Sequence, residues 1–82
     1  MTLEQMAALA REHWREENPR VYRKMLRRGD LEGESMAAAK LTMREMNALM
    51  WVKMTEQEAW QASRYLFIYK TAEQIAKSYN PQ

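Results

Sequence analysis

Residues 35–54, SMAAAKLTMREMNALMWVKM, run for 20 positions without a Gly or a Pro. Ala, Leu, Met, Lys, Arg and Glu dominate the run, and these residues lose little conformational freedom in a helix. As a helix it would be a rod roughly 30 Å long. Met36, Ala39, Met43, Met46 and Met50 recur at three- and four-residue steps and so share one face. Leu41, Ala48 and Val52 form a second apolar line on nearly the opposite face. A helix that is apolar on two sides is expected to be covered from two sides, which makes this run the central helix of an all-α fold.

The rest of the chain divides at its few helix breakers, two Gly and two Pro in 82 residues. Thr2 and Gln5 have capping-box spacing ahead of a first helix at about 3–17, with Leu3, Ala7, Ala10 and Trp14 on one face. Asn18-Pro19 ends it, because the residue before Pro disfavours the helical region and Pro suits the first position of a new helix. A second helix at about 19–28 closes on Gly29. Asp30, Glu32 and Glu34 then complement the positive end of the central helix, with Asp30 or Ser35 as its N-cap. That helix is expected over about 31–54. Thr55 and Glu58 form a second capping box, opening a last helix at about 56–78 that Asn80-Pro81 terminates. Tyr65, Ile68, Ala72, Ile75 and Tyr79 share a face of it; only YLFIY, residues 65–69, has strand-like composition. The expectation is one domain over 1–82, a small antiparallel bundle of three to four helices.

Composition removes several function classes. The absence of Cys excludes disulfides and thiolate metal sites. The apolar runs at 48–52 and 65–69 are too short to span a bilayer. Glu4 and Arg11 interrupt the start, which reads against a secretory signal, so a cytoplasmic protein is expected. His13 is the single histidine, with Glu12, Glu16 and Glu17 nearby; spacings of this kind arise by chance on charged helices, and a structural role is the simpler reading. No Gly-rich phosphate loop, nucleophile elbow or His-Glu-x-x-His is present. The chain is therefore read as no enzyme, with no catalytic residues, no cofactor, no metal and no small-molecule substrate.

Two features point instead to binding. Arg20, Arg23, Lys24, Arg27 and Arg28 fall within one arc of the second helix, opposite Val21, Tyr22, Met25 and Leu26. Five cations on one arc suit the phosphates of a nucleic acid, an acidic protein surface, or Glu12, Glu16 and Glu17 of the same chain. Tyr22 lies away from the cations, so the aromatic interleaving of many nucleic-acid sites is missing. On the central helix, Trp51 falls beside Lys40, Arg44 and Asn47, its most polar arc, while Trp60 and Phe67 align at seven residues on the last helix. Trp and Arg are enriched where interfaces carry their energy. The eight Met residues read mainly as core filler. The surplus of apolar faces points to a homodimer or a partner.

The run HWREENPRVYRKMLRRGDL, residues 13–31, resembles a pattern of small phage and mobile-element helical accessory proteins, some transposon-encoded. There Trp or Leu, Pro, Tyr, Leu, Gly and Leu recur at fixed spacing ahead of a polar helix; here Trp14, Pro19, Tyr22, Met25 or Leu26, Gly29 and Leu31 hold those places. The resemblance covers less than a quarter of the chain and implies a setting, an accessory product of a phage or prophage, without an activity. Such products often inhibit or adapt a host protein, anti-CRISPR and other anti-defence proteins among them. The reading is thus a small binding protein that occludes or adapts a protein partner through Arg20, Arg23, Lys24, Arg27, Arg28, Lys40, Arg44, Asn47, Trp51, Trp60 and Phe67. The alternative is a nucleic-acid-binding regulator using the basic face of the second helix.

Overall fold

The three threonine-headed stretches Thr2–Gln5, Thr55–Glu58 and Thr71–Gln74 each close a reciprocal capping box and so start three helices. A computed structural model describes residues 1–79. The protein is all-α, with, among the described residues, five helices and no strand. They are α1 (Leu3–Glu17), α2 (Pro19–Arg28), α3 (Leu31–Trp51), α4 (Glu56–Phe67) and α5 (Ala72–Ser78). α3 packs against both α1 and α4, α2 against α1 and α3, and α5 lightly against α1. With 21 residues α3 is about 31 Å long, in a molecule whose longest extent is 41 Å. No helix among the described residues is long and apolar enough to cross a membrane.

The core forms where small side chains line the helix contacts. Ala7 and Ala10 of α1, Ala38, Ala39 and Thr42 of α3, and Ala59 and Ser63 of α4 are all buried. Met6, Trp14, Met25, Met46, Ile68 and Ile75 fill the remaining space. The small residues let backbones approach; the flexible Met side chains fill what is left. Thr42 Oγ1 donates to the Ala38 carbonyl, and Arg11 Nη1 donates to Ser35 Oγ at 3.0 Å, tying α1 to α3. Ser63 Oγ is buried and makes no hydrogen bond among the described residues.

Four sequence expectations require correction. Among the described residues the helices number five rather than three to four. The central helix stops at Trp51, not at 54. Lys53 takes a left-handed φ of 75°, its N–H donates to the Met50 carbonyl, and the Met54 N–H reaches back to Leu49 at 3.2 Å. This is the closing pattern that a Gly usually supplies, and Gly29 supplies it after α2.

The last helix, expected over 56–78, is two helices separated by residues 68–71. The Thr71–Gln74 box starts α5 afresh. Finally, the second apolar line of α3 is not covered: Leu41 is 45% and Val52 65% exposed, and Ala48 is exposed. Both α1 and α4 pack on one arc of α3, centred on Ser35, Ala38, Ala39, Thr42 and Met46. The Met stripe borders that arc, with Met46 buried, Met36 and Met43 half-buried and Met50 exposed. The expected stop at Asn80-Pro81 lies outside the described residues.

The break between α4 and α5 leaves the Ile68 and Lys70 carbonyls without helical partners, and α1 satisfies both. Trp14 Nε1 donates to the Ile68 carbonyl at 3.0 Å and His13 Nε2 to that of Lys70 at 2.9 Å; just beyond α1, Asn18 Nδ2 donates to the carbonyl of Ala72, the first residue of α5, at 3.3 Å. The Lys70 ammonium lies 5.5 Å from the centre of the Trp14 ring and donates to Ser78 Oγ. Burial lowers the Lys70 pKa, and the charge of Glu34 works in the opposite direction.

Candidate functional site: the basic helix and the exposed arc of the central helix

Asn18 sets the direction of α2, its side-chain oxygen accepting from the Val21 N–H. The helix is held by Val21, Tyr22 and the buried Met25, so its remaining surface faces outward. Arg20, Arg23, Lys24 and Arg27 are exposed and form no ion pair with another described residue. Glu12, Glu16 and Glu17 are exposed on α1 and do not neutralise them. Arg28 differs from the other four. Its Nε pairs with Asp30 Oδ2 at 3.2 Å, and the same carboxylate oxygen accepts from Tyr79 Oη at 2.7 Å. The Tyr79 hydrogen bond, then Arg28, hold the Asp30 carboxyl below its ordinary range; burial and Asp30 raise the Tyr79 phenol. Arg28 is therefore part of a brace between the start of α3 and the residue that follows α5. Leu26, expected on the inward arc, is 57% exposed beside a hollow next to Arg11 and Leu31.

On α3, Lys40, Arg44 and Asn47 are exposed, and Trp51 is 87% exposed. Trp51 ends the helix to which Arg28 leads, so the two features lie about 30 Å apart along α3 and make two surfaces rather than one. Trp60 and Phe67 do not join them as free anchors. Both are half-buried against the core, and Trp60 meets Tyr69 edge-on at 6.0 Å. Sequence reasoning also missed a groove. Leu41, Leu66 and Phe67 line it with Lys70 and Lys77, in a volume of about 420 Å³. Its signal in the sequence is the Leu41–Ala48–Val52 line, an apolar face that no helix among the described residues covers.

His13 is half-buried. Its Nε2 donates to a carbonyl, which fixes the proton on that nitrogen, and its ring meets Tyr69 edge-on at 5.1 Å. Among the described residues no three His, Asp or Glu side chains gather as a metal site would require. The arrangement offers exposed cations, one exposed indole and an open apolar line, which are means of binding a surface. No protein-family model, curated protein or solved structure matches the chain.

Proposed function

We propose that this chain is a small non-catalytic binding protein that occludes or adapts a protein partner. A phage-encoded, anti-defence inhibitor acting in the cytoplasm of a host cell is the concrete form, and the resemblance of residues 13–31 supports that setting. The observation that carries the reading is Trp51, an indole 87% exposed with Lys40, Arg44 and Asn47 on the same arc. An indole in water leaves a large apolar area uncovered, and Trp beside Arg is the composition of interface centres. The scaffold that presents it is, in this reading, an antiparallel bundle, since the connections before and after α3 are short.

The test begins with capture of a partner from the native host and its purification. Trp51→Ala with Arg44→Ala should then weaken that complex by more than about 2 kcal/mol in calorimetry, the scale of interface hot spots. The melting temperature should stay near that of the parent chain. Undiminished affinity would remove Trp51 from the interface and the reading with it.

The second reading, nucleic-acid binding, is favoured by Arg20, Arg23, Lys24 and Arg27 on α2, which form no ion pair with another described residue. A gel-shift series with unrelated DNA and RNA decides it. Binding whose logarithm falls linearly with the logarithm of salt would support it, and no shift at low salt would dismiss it.

A further inference from the structure

The open line on α3 and the groove that continues it indicate what kind of partner segment fits, if the binding role proposed above holds. Leu41, Ala48 and Val52 lie at i, i+7 and i+11, an apolar strip about 16 Å long. At the Leu41 end the strip widens into the groove of about 420 Å³, where Leu66, 52% exposed, and Phe67 add apolar surface. A strip of this length matches the i, i+3, i+4, i+7 ridge of an amphipathic helix, which docks its apolar face into such grooves.

The borders decide the chemistry of that helix. Lys40 and Arg44 flank the strip on α3, Lys53 stands at its end, and Lys70 and Lys77 edge the groove. Three acids lie nearby. Glu45 is half-buried on the far flank, Glu73 is tied to Lys77 at 3.1 Å, and Glu34, seven residues before Leu41 on the same face of α3, acts on Lys70. Lys40, Arg44 and Lys53 then stand against Glu45 alone, so the surroundings of the strip keep a positive balance. We propose that the strip from Val52 to the Leu41–Leu66 groove binds an amphipathic helix of another protein, its apolar ridge bordered by Asp and Glu. A second copy of this chain fits poorly. Antiparallel two-fold pairing would lay the Lys40–Arg44 flank of one copy along the same flank of the other, so like charges would meet.

Two labelled helical peptides test this against the full chain by fluorescence anisotropy. Both carry the same Leu ridge; one has Glu on its borders and the other Lys. The Glu-bordered peptide should bind at least about tenfold more tightly, and added salt should weaken it. Leu41→Ser with Leu66→Ser should reduce its affinity about tenfold or more with an unchanged helical circular dichroism spectrum. Lys40→Glu with Arg44→Glu, which leaves the ridge site intact, should shift the preference toward the Lys-bordered peptide. Equal binding of the two peptides, no saturable binding of the Glu-bordered one, or indifference to both variants would overturn the proposal. So would a dimer in sedimentation that the Leu41→Ser, Leu66→Ser chain no longer forms, since the strip would then belong to a second copy. If the peptides fail while a purified partner still depends on Trp51, this inference falls and the binding role stands.

Discussion

At Lys53 the backbone turns left-handed without the residue that does so at least cost. Gly29 closes α2 with the same pair of hydrogen bonds at nearly the same φ, 76° against 75°. A Cβ in this region costs roughly 1 kcal/mol. Lys53→Gly is therefore predicted to stabilise the fold by up to about 1 kcal/mol in urea denaturation. A loss of stability would show that the lysine side chain contributes more than its backbone costs. The comparison also explains what could be read in advance at this scale. Gly29, Thr2 and Thr55 carry local signals, and the helix ends they specify were legible. Lys has no preference that marks a turn, so nothing in the sequence marks the stop after Trp51, three residues short of Met54. Trp51 itself was legible in direction, because 100° per residue sets it among Lys40, Arg44 and Asn47.

The elements divide between those that local pattern defines and those that distant contacts define. Tyr65, Ile68, Ala72, Ile75 and Tyr79 keep a heptad-like period straight through the break between α4 and α5. Ile68, Ile75 and Tyr79 are buried despite it, Ala72 is half-buried, and Tyr65 is 57% exposed. Periodicity thus marks most of the positions that turn toward the core, and it is silent on whether the helix between them is continuous. The marker that was there is the T-A-E-Q box at 71–74. Thr71→Ala is predicted to cost about 0.5–2 kcal/mol, since the Gln74 N–H loses its acceptor. No change would mean that α5 is held by its packing alone. The uncovered line on α3 escaped notice for a different reason. Two-sided amphipathicity implies two neighbours on opposite sides, whereas α1 and α4 share one arc and leave Leu41, Ala48 and Val52 open.

Across the whole molecule, charge is distributed so that it can be altered without disturbing the core. Arg23, Lys24 and Arg27 are exposed while Met25 anchors α2 from behind. Reversing all three to Glu should leave the circular dichroism spectrum native. It should slow association with an acidic partner and flatten its salt dependence. Association unchanged by the reversal would show this face to be merely solvated. The basic face was legible because it needs only local spacing. That Trp60 and Phe67 are half-buried was not, because it depends on how the core and, for Trp60, Tyr69 close around them. The grip of α1 on the turn between α4 and α5 carries a consequence in time. Trp14 and His13 reach carbonyls 54 and 57 residues away, so these bonds wait until a loop of most of the chain has closed. The contacts between α3 and α4 need only the short connection between those helices, and local closures come first. α5 is thus expected to dock last on the way in and to open first on the way out. In hydrogen exchange its amides should open before those of Ala38, Ala39 and Thr42, and Trp14→Phe, which deletes the donor to Ile68, should widen that gap.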